Sequence, residues 1–214
     1  AASDVYKRQL LYLNATATES AAITVSPSLW DGITAYELDG TFLQQTNFGS
    51  SSFTEYGRSV ALNNDGTIIL IGEARGYHPV TENQSGTAIV YKYDGTSWNI
   101  YGNSSTYGVI YSTDTDVHNN PADSTNNHFG RAADINGEGN IIVITAYGNE
   151  SAHTFGYDDS TDTWIEFGGG MAQAQFLSSS LSNSGYILAL GVPGTKSMYV
   201  YEYGWMYVYM LSLI

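Results

Sequence analysis

Short apolar runs alternate along the chain with clusters of Gly, Asn, Asp and Ser, and no stretch of useful length carries apolar residues at helical spacing. Ile68-Ile69-Leu70-Ile71-Gly72, Ile141-Ile142-Val143-Ile144 and Tyr186-Ile187-Leu188-Ala189-Leu190-Gly191 are the most apolar runs and read as strands. Each follows a tight polar turn, at Asn63 to Gly66, Asn136 to Gly139 and Ser182 to Gly185, and before each turn lies another strand-like segment. Downstream comes an alternating strand that ends in an aromatic pair: Tyr91/Tyr93, Phe155/Tyr157 and Tyr201/Tyr203. A two-residue turn such as Asp94-Gly95, then a closing strand near Trp98 or Trp164, completes a four-stranded antiparallel meander.

The unit repeats. Tyr56-Gly57-Arg58-Ser59-Val60-Ala61-Leu62 returns as Phe129-Gly130-Arg131-Ala132-Ala133-Asp134-Ile135, and a worn first copy places Ser20 at the turn before Ala21-Ala22-Ile23-Thr24-Val25. Ser20 to Gly66 and Gly139 to Gly185 each span 46 residues, and Gly66 to Gly139 spans 73, so one interval carries an insertion. From turn to aromatic pair, ending at Leu38 in the worn copy, the distance is 18 residues in three copies and 27 in the Gly66 copy, which places part of the insertion there. Four short strands every 40 to 50 residues are the mark of a propeller blade, and a blade buries its aromatic stripe only by stacking on neighbours. The fold expected is all-β: a β-propeller sector of about four four-stranded antiparallel blades. Blades are expected at 10–49, 50–102, 129–170 and 171–209, with an inserted loop at 103–128.

The Tyr-Gly and Phe-Gly starts, the Ser59-Val60-Ala61-Leu62 stretch with Asp65-Gly66, the Leu190-Gly191-Val192-Pro193 ending and the aromatic strand after Gly86 together resemble FG-GAP repeats, as in the integrin α-chain propeller. The resemblance covers roughly Ala21 to Tyr203. It implies a propeller of about seven blades, of which this chain holds a part and whose missing blades are its partners. It also implies that some turns bind calcium through alternating acidic side chains, since a hard cation needs several oxygens at close range. The turn closest to that pattern has Asp134, Asn136 and Glu138 on alternating positions, with Ile142 where a further acidic ligand belongs. In the other copies Ala61 and Ser180 replace the leading aspartate, and a polar β-turn without metal accounts for all three, so no cofactor is expected.

The termini read differently from the interior. Ala1 to Gln9 and Leu211 to Ile214 resemble translated adapter sequence, and no signal peptide is visible. The apolar tail from Trp205 is ten residues, too short to span a bilayer. A formal charge of −14 repels polyanions and argues against nucleic acid, and the absence of cysteine excludes disulfides and thiolate sites. Acidity and low lysine suit an extracellular or cell-surface location. Sequons stand at Asn14, Asn83, Asn103 and Asn149.

In an up-down meander the strand two to three loop and the connection to the next blade leave from one end. Both insertions therefore enlarge that end, which would present Arg75, Tyr77 and His78 from one loop and Tyr107, Tyr111, Asp114, Asp116, His118 and Asp123 from the other. Neither a nucleophile elbow nor a phosphate-cradling loop is present: Gly168-Gly169-Gly170 precedes Met and Ala. The function expected is a non-enzymatic binding, adhesion or scaffold module recognising protein or glycan. The alternatives are a propeller enzyme acting on extracellular carbohydrate and a purely structural sector.

Overall fold

The computed structural model describes residues 55–77, 84–103, 106, 108–112, 128–168, 171–172, 174–202 and 207–212. The chain divides into two compact units, Ala1–Asp39 and Gly40–Ile214; the first, with the expected blade at 10–49, lies outside the described residues. Within the second unit the described elements are strands, apart from turns and a 3-10 turn at Pro193–Thr195.

Three antiparallel sheets follow one another. The first runs β1 (Tyr56–Leu62), β2 (Ile68–Glu73), β3 (Thr87–Tyr93), β4 (Trp98–Ile100); the second runs β6 (Phe129–Ile135), β7 (Ile141–Ala146), β8 (Ser151–Asp158), β9 (Thr163–Glu166). The third runs β11 (Ser178–Leu181), β12 (Ile187–Val192), β13 (Ser197–Glu202), β14 (Tyr207–Ser212). Sequence order is spatial order in each, which is the predicted meander. Short strands β5 (Val109–Ile110) and β10 (Met171–Ala172) pair with the part of β3 and β8 that β4 and β9 leave uncovered. Part of the inserted loop is thus a regular blade element, present in the second sheet as well.

The Tyr-Gly and Phe-Gly starts have a physical reason. Glu55 (φ 57°) and Gly57 (φ 79°), like His128 (φ 52°) and Gly130 (φ 89°), adopt left-handed backbone, and the turns close with Arg58 N–H to Glu55 C=O (3.0 Å) and Arg131 N–H to His128 C=O (3.2 Å). Each turn bulges the first strand against the second, shifting register between Tyr56 and Ser59 and between Phe129 and Ala133. The bulge lets the second sheet approach the first: Ser59 Oγ donates to Gly130 C=O (2.9 Å), and a Cβ on Gly130 would overlap the Thr87 carbonyl oxygen.

At the opposite end the polar turns use a second recurrent device. Asn63 Oδ1 accepts the Ile68 N–H, Asn136 Oδ1 accepts the Asn140 and Ile141 N–H groups, and Ser182 Oγ accepts the Ile187 N–H, all at 2.9–3.0 Å. The three turns are also joined to one another: Asn64 N–H donates to Gly137 C=O (3.1 Å), and Gly137 N–H to Asn183 C=O (2.9 Å). Asn64 and Asn183 meet amide to amide across Gly137, whose missing side chain leaves them room. Neighbouring hairpins therefore converge at one end, as blades do about a propeller axis.

Two apolar layers hold the sheets together. Between the first and second lie Leu70, Val90, Ile110, Phe129, Ile142, Ile144 and Phe155; between the second and third lie Val143, Ala152, Phe176, Leu188, Leu190 and Val192. Each large aliphatic or aromatic side chain so buried contributes about 1.5–3 kcal/mol. The aromatic stripe packs here too, with Tyr101 and Tyr157 at 4.0 Å between ring centres and Trp164 edge-on to Tyr101. No strand pairing joins the first sheet to the third among the described residues, so the sector is open.

Candidate functional site

The end carrying the β2–β3 loop and the entries to β1 and β6 gathers the arginines. Arg58, Arg75 and Arg131 are all the arginines among the described residues, and each stands here. Glu55 binds two of them, Arg75 Nε at 3.2 Å through Oε1 and Arg58 Nε at 3.8 Å through Oε2. Both arginine side chains stay about half exposed, at 45% for Arg58 and 48% for Arg75. Arg131 lies over the Tyr147 ring at 4.5 Å, and the His128 imidazole meets the same ring edge-on.

His128 connects the two turns. Burial first, then the charges of Arg131 and Arg75, hold its pKa below the ordinary value; Glu55 and a hydrogen bond with the Ala74 backbone oppose them more weakly. The imidazole is accordingly neutral at pH 7. Glu73, two residues before Arg75, is turned inward and accepts from Thr87 Oγ1 (3.0 Å).

Of the residues expected from sequence, Arg75 belongs to this cluster, Tyr77 is half-buried two residues further along the same loop, and Tyr111 is half-buried just after β5. His78, Tyr107, Asp114, Asp116, His118 and Asp123 lie outside the described residues. Arg58, His128 and Arg131 were not singled out by sequence, although the repeated Gly-Arg of Gly57-Arg58 and Gly130-Arg131 was there to find them.

The calcium-type turn is engaged internally. Asp134 Oδ2 accepts the Leu181 N–H of β11 (2.6 Å) and Oδ1 its neighbour's Ile135 N–H (2.9 Å), so this carboxylate ties the second sheet to the third. Asn136 Oδ1 caps the turn, and Glu138 Oε2 accepts from Asn140 Nδ2 (3.2 Å). Among the described residues no group of three His, Asp or Glu stands close enough to hold a metal ion.

Burial, the largest cause, raises the Asp134 carboxyl above its ordinary pKa, against the Leu181 and Ile135 N–H groups and the Ser180 hydroxyl. A carboxyl with a raised folded pKa takes up its proton more readily folded than unfolded. Its cost to stability is therefore complete above the raised value and fades as pH falls toward the unfolded value near 3.8. The stability of Asp134→Asn relative to wild type is expected to be more favourable to the variant at pH 7 than at pH 4, as read from urea melts; an equal difference at both pH values would contradict this assignment.

Asn103, read from sequence as a sequon, is a clasp between sheets. Its N–H donates to Asp162 C=O (2.8 Å), its Oδ1 accepts the Trp164 N–H (2.9 Å) and its Nδ2 donates to Val109 C=O (3.2 Å). It lies against the β8–β9 turn and does not project from the loop-bearing end. Peptide mapping after expression through a eukaryotic secretory route is expected to find Asn103 unglycosylated, and Asn103→Ala to cost about 1–2 kcal/mol.

Sequence inspection also missed a hydrogen-bonded chain between the first two sheets. Ser151 Oγ lies 2.9 Å from His153 Nε2, and His153 Nδ1 lies 2.7 Å from Glu166 Oε1. With the Nδ1 proton directed at the carboxylate, Nε2 accepts from the serine, the polarity of a nucleophile-activating relay. Ser151 is 1% exposed, on a central strand between Ala146 of β7 and Ala172 of β10. With Ser151 and His153 both buried, the chain of bonds satisfies the hydrogen-bonding needs of a histidine inside the sheet stack.

Three meanders stacked through apolar layers, with hairpins converging at one end, make this an all-β, β-propeller-like protein. No family model matches the chain, and no curated protein matches it. Among solved structures it is similar to Sqt1 of Saccharomyces cerevisiae (9% identity, 75% of this chain and 36% of that one, TM-score 0.47). It is similar also to hydrazine synthase of Kuenenia stuttgartiensis (10% identity, 74% and 36%, TM-score 0.46) and to a protein from Lactobacillus plantarum (12% identity, 72% and 40%, TM-score 0.48). The chain spans well under half the length of each of these structures.

Proposed function

We propose that the chain is a non-enzymatic binding, adhesion or scaffold module of an extracellular or cell-surface protein, built of FG-GAP-type blades, that recognises protein or glycan at its loop-bearing end. The observation that carries this reading is the meeting of the β2–β3 loop with the entry turns of β1 and β6. Arg75, Glu55 and His128, far apart in sequence, face one another there on a rigid two-sheet base. The recurrent left-handed turn at Tyr56-Gly57 and Phe129-Gly130 supports the FG-GAP kinship.

Glycan and protein arrays probed with the whole chain test it. A ligand is expected whose binding falls when residues 113–127 are replaced by a short Gly-Ser linker or when Arg75 is changed. Binding indifferent to both changes would remove this end as the site. Among the described residues the Ser151–His153–Glu166 chain is the arrangement that favours an enzyme instead; a fluorophosphonate probe is expected to leave Ser151 unlabelled, and labelling abolished by His153→Ala would turn the reading toward hydrolysis.

A further inference from the structure

From the loop-bearing end taken as the binding end, we infer that the Glu55–Arg58–Arg75 fork is an anion seat which Glu55 occupies in the free protein, and that the ligand carries a carboxylate or sulfate group that displaces it. Three observations meet at this point. In a chain of net charge −14, all the described arginines are drawn to one edge, where, among the described residues, Glu55 is the carboxylate that pairs with two of them. Arginine forks match the paired oxygens of an oxyanion and hold them by two N–H groups at once.

Glu55 fills that fork imperfectly. It reaches Arg75 at 3.2 Å but Arg58 only at 3.8 Å, and Oε2 has no hydrogen-bond partner although it is buried. His128 Nδ1 and Arg131 Nε, across the same junction, are likewise buried and without a hydrogen-bond partner among the described residues. Native structures leave few such atoms, and their gathering in one place points to a group that is not yet bound.

The same charge balance selects the carrier. An acidic protein surface would be repelled by most of this molecule, whereas a sugar bearing one acid group among neutral hydroxyls brings only the group that fits. The ligand class is therefore an acidic glycan with isolated uronate or sulfate groups.

Titration of the full chain with a neutral oligosaccharide carrying one terminal glucuronate, beside its carboxyl-reduced analogue, tests the seat. Binding of the glucuronate form is expected to exceed that of the reduced form by about tenfold, to weaken by about tenfold in Arg75→Gln, and to fall with added salt. Glu55→Gln is expected to strengthen it severalfold, a gain that a merely damaged fold does not give. Equal binding of the two oligosaccharides, weaker binding in Glu55→Gln, or tighter binding of an acidic peptide than of the glucuronate sugar would each overturn the inference. If the arrays find a neutral ligand dependent on this end, the anion seat fails while the binding module stands; if they find none at this end, both fail.

Discussion

Replacing Gly130 by alanine is expected to cost about 3 kcal/mol or more, enough to unfold much of a chain of ordinary marginal stability. Gly130 sits at φ 89°, where a side chain is strained, and its Cβ would meet the Thr87 carbonyl oxygen and stand 2.9 Å from the Glu73 nitrogen. Both neighbours are backbone of the first sheet and cannot rotate away, so the second sheet must move. Gly95 separates strain from crowding: it has φ 99° but nothing within 4 Å of the added carbon. Gly95→Ala is expected to cost only about 1 kcal/mol, the strain alone. Equal losses for the two variants in urea melts would show that the sheets do not meet at Gly130.

The second large effect concerns His153 and Glu166. The register that pairs Ile71 with Ile89 and Tyr91 with Ile100 in the first sheet pairs Ile144 with His153 and Phe155 with Glu166 in the second. A polar pair thus stands where the other blade has two isoleucines. Glu166→Ile alone would take the carboxylate from Nδ1 of a fully buried imidazole, at an expected cost of about 2–4 kcal/mol. Copying the first blade with His153→Ile and Glu166→Ile together is expected to return stability to within about 1 kcal/mol of wild type. A double variant as unstable as the sum of the two singles would mean that the chain of bonds does more than satisfy the histidine.

The architecture was legible because its signals are repeated. Asn63, Asn136 and Ser182 each cap the same hairpin, and Gly66, Gly139 and Gly185 each take its left-handed corner, so the recurring polar turn reports a device used three times. What sequence could not give was pairing across copies. Asn103 reads in sequence as a glycan acceptor, and its amide stands between Val109 and Trp164; Asp134 reads as part of a polar turn, and its link to Leu181 of the next sheet is visible only in the fold. The arginine edge joins residues 55, 58, 75, 128 and 131, which are brought together only by the stacking of two sheets. His153 was open to discovery by aligning copies, since a histidine in an isoleucine's place implies a partner close by.

Hydrogen–deuterium exchange on the full chain, with and without a ligand taken from the arrays, tests the placement of the binding end most directly. Slowed exchange is expected at residues 55–58, 74–77 and 128–131, with the turns at 63–66, 136–139 and 182–185 unchanged. Protection confined to those turns, at the other end of the sheets, would contradict it.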